Sequence, residues 1–272
     1  MLKTEMRNEH STHLSDMTTA DMVALMQREN HNAVRAIDTE LCAIAQAIDA
    51  ISERMQRGGR LFYIGCGTSG RLGVLDASEC PPTFGVSPEL VVGLIAGGDG
   101  ALRRAVEGAE DDEAAGRRDL GAYELSESDS VVGISVAGGA AYVKGALMLA
   151  KEKKAFAVAL TCNAGSPIEK LADIAIHPDT GAEVVTGSTR MKAGSAHKMI
   201  LNMISTGVMV RQGHVYENLM INLRPSNIKL RDRMIRIVAD ITGKPYDMAE
   251  KLLEQNDFVI RRAIVAAEKE DE

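Results

Sequence analysis

The segment at residues 60–70 reads RLFYIGCGTSG and joins an apolar run to a glycine-rich loop. A continuous apolar run such as residues 60–64 is typical of a strand that is buried on both faces of a parallel sheet. Glycines in the loop let the backbone turn tightly and approach a ligand, so that backbone amides and the hydroxyls of Thr68 and Ser69 stay free for phosphate oxygens. We therefore predict that Gly67, Thr68 and Ser69 bind a phosphate group at the end of a buried strand.

The same loop satisfies the G-x-G-x-x-G pattern of dinucleotide-binding proteins, so a dinucleotide must be weighed against a phosphosugar. The dinucleotide pattern requires a long uninterrupted helix and then an acidic residue that closes the second strand, about 20 residues on. In this chain Pro81 and Pro82 soon follow the loop, and Asp99 comes late, after Gly97 and Gly98. The sequence favours a phosphosugar, with a dinucleotide site or a purely structural turn as the alternatives.

Short apolar runs alternate with helical patterns along the middle of the chain. After residues 60–64, the predicted strands are residues 91–95, 130–136, 156–161 and 173–176. Helices or pieces of helix are predicted between them, at residues 72–77, 101–120, 142–151 and 167–172. This alternation is typical of an α/β fold, and we predict a three-layer α/β/α sandwich around a five-stranded parallel sheet. Ligands in such folds bind at the carboxyl ends of the strands.

Helical patterns flank this central region on both sides. Thr18 is a candidate N-cap for a first helix, and apolar residues keep a period of three to four over residues 34–51, up to a stop at Gly58 and Gly59. A long helix is predicted after residues 186–190. Three short amphipathic helices are predicted in the tail, at residues 229–241, 246–255 and 257–268.

These patterns divide the chain into three predicted parts. Residues 1–50 form N-terminal helices that pack on the core or on a second subunit. Residues 51–225 form the phosphosugar-binding domain, and residues 226–272 form a small helical C-terminal segment.

The composition limits the classes of partner. A net charge of −7 without any cluster of Lys or Arg argues against a nucleic-acid surface, because that affinity comes from clustered cations. The four cysteines and six histidines show no spacing typical of a metal site, and no apolar run approaches the roughly 20 residues of a membrane helix. The N-terminus, MLKTEMRNEHS, lacks the apolar core of a signal peptide. We expect a cytoplasmic protein with a small-molecule ligand and with no bound nucleic acid, membrane or metal.

Two acidic residues are candidates for acid–base chemistry. Glu79 comes just before Pro81 and Pro82, and because proline cannot continue a helix, we expect the chain to turn there and to aim Glu79 at the site. Glu110 lies in a charged run that follows the second strand, which brings it within reach of the same cleft. The alternative for each is an exposed carboxylate on a helix, which is what charged runs usually are.

A second anion-binding segment is predicted at residues 186–195, which read TGSTRMKAGS. Hydroxyls at the start of a helix, followed by basic residues, favour an anion there because a helix N-terminus carries free N–H groups and a partial positive charge. We therefore predict that Ser188, Thr189 and Lys192 contact the ligand. An ordinary N-cap on a core helix is the alternative.

Three segments of the chain are similar to one known family. Residues 59–85, 101–113 and 186–220 read GRLFYIGCGTSGRLGVLDASECPPTFG, ALRRAVEGAEDDE and TGSTRMKAGSAHKMILNMISTGVMVRQGHVYENLM. Together they resemble the N-acetylmuramic acid 6-phosphate etherases, which belong to the sugar isomerase (SIS) superfamily and have a flavodoxin-like sheet. The similarity extends over nearly the whole chain, from TEMRN near the start to about Asn222.

The resemblance implies a lyase that cleaves the lactyl ether of N-acetylmuramic acid 6-phosphate, giving N-acetylglucosamine 6-phosphate and D-lactate without a cofactor. It implies that Glu79 protonates the leaving oxygen and that Glu110 is the base at C2. It also implies a homodimer whose site draws on both subunits. Two carboxyl groups suit this chemistry, because burial and a nearby like charge both raise the pKa of a glutamate toward neutrality.

The loop after the third strand departs from the family pattern. Relatives usually show a sequence of the type SGRTPYV, where residues 137–143 of this chain read AGGAAYV. The loop keeps Gly138 but loses two hydroxyls and an arginine, and a lost contact of this kind weakens phosphate binding by roughly 1–3 kcal/mol. The predicted substitutes are Ser135, backbone amides such as that of Gly138, and the helix that follows residues 188–192. The departure keeps open two alternatives to the etherase: a regulatory protein that senses a phosphosugar without turnover, and an SIS-type lyase for another phosphosugar.

Overall fold

Five strands form one parallel sheet in a computed structural model of the chain, which describes residues 2–223, 225 and 227–270. The strands are β1 (Leu61–Gly65), β2 (Val91–Ile95), β3 (Ser130–Ile134), β4 (Phe156–Leu160) and β5 (Ile174–Ile176). Their order is β2-β1-β3-β4-β5, and every pairing is parallel. β1, β3 and β4 are buried along their whole length, which is why they appear in the sequence as unbroken apolar runs. The predicted sheet is confirmed.

Helices precede, connect and follow the strands. They are α1 (Thr19–Asp38), α2 (Leu41–Gln56), α3 (Gly67–Phe84), α4 (Gly100–Arg103), α5 (Glu113–Gly121), α6 (Ala141–Glu152), α7 (Lys192–Arg211), α8 (Ile228–Thr242), α9 (Tyr246–Gln255) and α10 (Ile260–Glu270). Two short strands, β6 (Val215–Tyr216) and β7 (Leu219–Met220), form a hairpin. The sequence did not predict it, because strands of two residues are too short to show the alternation of apolar and polar side chains. Within the described ranges, no helix has both the length and the apolar character needed to cross a bilayer.

Contacts divide the chain into two compact units. The first comprises residues 1–78 and 89–208 and contains the five-stranded sheet, whereas the second comprises residues 79–88 and 209–272. In the second unit, α8, α9 and α10 pack around a core that includes Met234, Val238, Leu253 and Ile264. The predicted boundaries at residues 50 and 225 stay a prediction, and Ser226 lies outside the described residues.

Helices cover both faces of the sheet in the first unit. Phe62 and Ile64 of β1 belong to a buried cluster that includes Leu147 of α6. Tyr63 points to the opposite face, because side chains alternate along a strand. There a Cβ atom on Gly73 of α3 would lie only 2.9 Å from the Cβ atom of Tyr63, so α3 packs closely on the sheet. These two faces give the three predicted layers.

Two predicted helices are interrupted in the structure. The apolar pattern over residues 34–51 belongs to both α1 and α2, which are separated by Thr39 and Glu40. Glu40 is buried and accepts a hydrogen bond from the backbone N–H of His177 at 2.9 Å, so a contact with the chain after β5 holds the break. The pattern over residues 101–120 divides into α4 and α5, and Gly108 between them has a φ of +73°. The pattern over residues 167–172 is only a short 3-10 turn, Glu169–Leu171.

The double proline does not end α3, contrary to the prediction. Pro81 and Pro82 lie inside the helix, which continues to Phe84. A proline ring fixes φ near −65°, which suits a helix, and its missing N–H removes one hydrogen bond. The helix stops instead at Gly85, whose φ is +67° and whose N–H donates to the carbonyl oxygen of Pro81 at 2.9 Å. Glu79 therefore lies on a helix and not at a turn.

Candidate active site

Gly65 and Gly70 bring the end of β1 against the first turn of α3. A Cβ atom on Gly70 would lie 2.6 Å from the carbonyl oxygen of Gly65 and equally close to Cγ1 of Ile95, so only glycine fits there. Gly67 starts the helix with a φ of +51°, a conformation that favours glycine. The N–H groups of Gly67, Thr68 and Ser69 have no acceptor within the helix because they belong to its first turn. This loop therefore presents the arrangement of amides that was predicted for a phosphate.

The loop after β3 lies beside the loop after β1, because the strand order changes direction between these two strands. The hydroxyl of Ser135 accepts a hydrogen bond from the backbone N–H of Gly138 at 3.1 Å, and the Ser135 side chain is buried. Gly138 has a φ of +73°, and a Cβ atom on it would lie 2.3 Å from Cβ of Ser166. The altered loop is thus a packed turn in which Ser135 already has one partner. The predicted contacts of Ser135 and Gly138 with a ligand stay a prediction.

Glu110 shares a cavity with the glycine loop. The cavity has a volume of about 150 Å³, and its walls include Cys66, Gly67, Arg71 and Glu110. Burial, and after it the charges of Glu110 and Asp111, raise the pKa of the Cys66 thiol to about 12. The Glu110 side chain is exposed. A carboxylate is therefore available beside the predicted phosphate loop.

Arg71 fixes the segment that leads to this carboxylate. It extends from α3, and its guanidinium donates hydrogen bonds to the carbonyl oxygens of Ala101 and Leu102, at 2.6 and 2.9 Å. Both acceptors belong to α4, which begins the connection from β2 to Glu110. The helix of the glycine loop thereby sets the position of the Glu110 segment.

Glu79 lies near the C-terminal end of α3 and is exposed. It belongs to the second compact unit, whereas Glu110 belongs to the first. In the second unit, Gly85 holds the end of α3 close to Asn222, because a Cβ atom on Gly85 would lie 2.1 Å from the Asn222 carbonyl oxygen. The meeting of Glu79 and Glu110 in one site stays a prediction.

The N-terminus of α7 is already occupied by a carboxylate. Glu183 is fully buried and accepts hydrogen bonds from the backbone N–H groups of Lys192 and Ala193, at 3.1 and 3.0 Å. The next N–H group, that of Gly194, donates to the carbonyl oxygen of Thr189 at 3.0 Å. The free amides that were predicted here are therefore taken, and Ser188 stands in the turn just before the helix. An anion near this turn cannot use the first three N–H groups of α7.

The ammonium group of Lys192 is already paired with a carboxylate. This group lies 2.5 Å from a carboxylate oxygen of Glu29, and both side chains are buried. Glu29 also accepts hydrogen bonds from Asn8 at 2.8 Å and lies 2.9 Å from Nδ1 of His10. Burial alone would raise the pKa of Glu29, but the hydrogen bonds from Lys192, His10 and Asn8 together lower it to about 2. The predicted contact between Lys192 and the ligand stays a prediction, and it would require this ion pair to open.

A second cavity lies on the other side of the glycine loop. It has a volume of about 320 Å³ and is lined by Thr68 and Leu72 of α3, by Arg190, and by Ser195, Lys198 and Met199 of α7. Lys198 was missed in the sequence analysis. The signal that could have found it is the helical spacing from Ser195, since residues three apart lie on one face of a helix.

Among the described residues, no group of three or more His, Cys, Asp or Glu side chains is placed to hold a metal ion.

Comparisons with known proteins give both a domain type and close relatives. The family model of the glucokinase regulatory protein N-terminal SIS domain matches residues 43–151, and the SIS domain model matches residues 112–210. The N-acetylmuramic acid 6-phosphate etherase 1 of Bacillus licheniformis is 51% identical over 264 residues, which cover 97% of this chain and 87% of that protein. The N-acetylmuramic acid 6-phosphate etherase of a Jannaschia species is 53% identical over 263 residues, which cover 97% of this chain and 83% of that protein.

Solved structures show the same fold at low sequence identity. A phosphoheptose isomerase from Francisella tularensis superposes with a TM-score of 0.54 at 19% identity. The match covers 71% of this chain and 98% of that one. At this identity the match supports the fold alone, and it agrees with the predicted sugar isomerase type of sheet.

Proposed function

The chain belongs to the N-acetylmuramic acid 6-phosphate etherase family, and from this premise we infer that it cleaves the D-lactyl ether of N-acetylmuramic acid 6-phosphate. The products are N-acetylglucosamine 6-phosphate and D-lactate. The observation that carries this conclusion is the identity of about half of all residues over 97% of the chain. The alternative of a regulatory protein without turnover is not favoured, because these relatives are all named as etherases.

Phosphate binding is the first part of the proposed mechanism. The N–H groups of Gly67, Thr68 and Ser69 receive the phosphate at the positive end of α3. Ser135 and Gly138 border it from the loop after β3, and Ser188 and Thr189 from the turn before α7. Support comes from the adjacency of the loops after β1 and β3, which the strand order imposes.

The elimination needs one base and one acid. In the open-chain sugar the aldehyde acidifies C2–H, and the Glu110 carboxylate takes this proton while the C3–O bond breaks. Glu79 gives its proton to the departing lactate oxygen. Water then adds at C3 of the unsaturated sugar, its proton passes to the Glu79 carboxylate, and Glu110 returns a proton to C2. Both glutamates end in their starting protonation states, and the sum is the addition of one water molecule across the ether.

We propose that Glu79 serves the site of the partner subunit in a homodimer. A helix rises about 1.5 Å per residue, so Glu79 lies roughly 18 Å along the axis of α3 from Gly67. That distance is more than a glutamate side chain can reach. An acid that is protonated near neutral pH also needs burial or a nearby carboxylate, and Glu79 is exposed in the single chain. A second subunit would supply both conditions, and the exposed Val23 and Val34 of α1 offer apolar contact surface for it.

We also propose that the enzyme acts in the cytoplasm. Cys42, Cys66, Cys80 and Cys162 are all free thiols, which suits a reducing compartment. The proposed substrate is a phosphorylated small molecule, and no further partner is required for the reaction.

Release of D-lactate from N-acetylmuramic acid 6-phosphate tests the function directly. Wild-type protein should release lactate, and Glu79→Gln or Glu110→Gln should each reduce kcat at least about 100-fold, the usual size of an acid–base contribution. Glu127→Gln is the matched control, because Glu127 is exposed and the substitution removes the same charge. In deuterium oxide the product sugar should carry deuterium at C2. Binding of the phosphosugar without lactate release would overturn the etherase assignment.

A further inference from the structure

The cavity of about 320 Å³ beside Thr68 contains two cations and no carboxylate. Arg190 and Lys198 are exposed, and in the described ranges neither forms an ion pair. The charge of Lys198 acts on the buried carboxylate of Asp76, where it opposes the rise in pKa that burial causes, and Asp76 accepts hydrogen bonds from Asn202 at 2.5 Å and from Ser205 at 3.2 Å. No carboxylate stands among the residues that line the cavity to pair with these two cations.

The first three N–H groups of α7 are not available to an anion in this cavity. The first N–H groups of α7 are bonded to Glu183 and to Thr189. The side chains in the cavity wall that can bind an anion are the two cations and the hydroxyls of Thr68 and Ser195. A guanidinium and an ammonium next to hydroxyls suit a carboxylate, which accepts charge-assisted hydrogen bonds on both of its oxygens.

The cavity also has an apolar side, formed by Leu72 and Met199. A ligand group that carries a carboxylate and a methyl on the same carbon atom would match cations on one side and apolar side chains on the other. Thr68 connects this cavity to the glycine loop, since its own N–H belongs to the predicted phosphate site. A ligand whose phosphate binds the glycine loop would therefore bring a second anionic group within reach of this cavity.

We propose that Arg190 and Lys198 form a subsite for the lactyl carboxylate of the substrate, with the lactyl methyl against Leu72 and Met199. This inference rests on the proposed function, because it takes the substrate from it. The lactyl group is the part that distinguishes N-acetylmuramic acid 6-phosphate from N-acetylglucosamine 6-phosphate. Arg190 and Lys198 are then the residues by which the enzyme prefers its substrate over its product, and the subsite loses its anion once lactate leaves.

The test compares the affinities for these two sugars, which share the phosphate and differ in the carboxylate. Binding is measured in a Glu110→Gln background so that turnover does not interfere. Arg190→Gln and Lys198→Gln should each weaken binding of N-acetylmuramic acid 6-phosphate by about 10-fold or more, the range of a charge-assisted hydrogen bond. Binding of N-acetylglucosamine 6-phosphate should change less than about twofold on the same reasoning. Lys170→Gln, an exposed lysine with no described ion pair, is the control for lost charge.

Each outcome decides the proposal. Equal weakening for both sugars would mean that the two cations hold the phosphate, and no weakening for either would mean that they hold nothing; both overturn the carboxylate subsite. The melting temperatures of the variants show whether the fold is intact. The proposed function is tested separately, because absent lactate release by the wild-type protein would overturn the function whatever the binding data show.

Discussion

The ammonium group of Lys192 and the carboxylate of Glu29 form an ion pair at 2.5 Å in which both side chains are buried. The pair joins the first turn of α7 to the middle of α1, across 163 positions of sequence. Asn8 and His10 add hydrogen bonds from the N-terminal residues to the same carboxylate. One carboxylate therefore connects three segments that are distant in sequence. Substitutions at this ion pair should consequently change the stability of the fold.

Removal of one partner should be strongly destabilising. Lys192→Met leaves the Glu29 charge buried without its cation, and we expect the free energy of unfolding to fall by about 3–5 kcal/mol in urea titrations. The double variant Glu29→Met, Lys192→Met is the matched control, because two apolar side chains leave no buried charge, and it should recover most of the loss. A double variant as unstable as Lys192→Met would contradict this explanation.

The same pair predicts acid sensitivity. The pKa of Glu29 is about 2 in the folded chain against 4.5 as the ordinary value, so the unfolded chain binds the proton more readily. The lowered pKa of Glu29 contributes about 3 kcal/mol to the free energy of unfolding. This contribution is fully present above pH 4.5 and is lost as the pH falls toward 2. Glu29→Gln should flatten the dependence of the unfolding free energy on pH in this window. An unchanged slope would show that other carboxylates govern acid unfolding.

Subunit complementation should reveal whether Glu79 acts in the partner's site. Homodimers of Glu79→Gln and of Glu110→Gln should both be inactive. When the two variants are co-expressed with different tags, a mixed dimer has one site with both glutamates intact, and random pairing should restore about one quarter of the wild-type activity. If both glutamates of a site came from one chain, every site would lack one of them and mixing would restore nothing.

The close approach of β1 and α3 predicts a sharp difference between two glycines. Gly70→Ala places a methyl group 2.6 Å from the Gly65 carbonyl oxygen and from Ile95. It should lower the free energy of unfolding by about 1–3 kcal/mol and should also weaken the binding of the phosphosugar. Gly100→Ala, at the start of α4 and with nothing near its added methyl, should be tolerated. Thermal melting and phosphosugar binding check both variants. If Gly70→Ala were tolerated as well as Gly100→Ala, the loop after β1 would have to be able to move away from the first turn of α3.

Cysteine reactivity should differ in the same region. Burial, with help from Glu110 and Asp111, raises the pKa of Cys66 to about 12, so its thiol stays protonated at pH 8. Cys42 is exposed. Alkylation by iodoacetamide at pH 8, followed by mass spectrometry, should modify Cys42 long before Cys66, because the thiolate is the reactive form. Rapid labelling of Cys66 would contradict the environment described for it.

Much of the fold follows from local patterns. Apolar runs set the five strands, and their alternation with helices set the parallel sheet. The glycines at residues 65, 67 and 70 set the loop after β1, because each is required by a contact or a φ value within a few residues of itself. The cap at Thr18 is equally local, since its side chain accepts from the N–H of Asp21. These features depend on neighbours in sequence, and the sequence alone determined them.

Other features depend on residues that the chain brings together only when folded. Glu183 occupies the amides of α7 and Glu29 binds Lys192, so a segment with the composition of an anion site has its amides and its lysine engaged by the protein. Lys198 and Arg190 meet Thr68 in a cavity that no local pattern shows. A buried charge is satisfied by whichever partner is nearest in space, and sequence distance sets no limit on that choice. The tertiary structure therefore decided which of the predicted ligand groups are free.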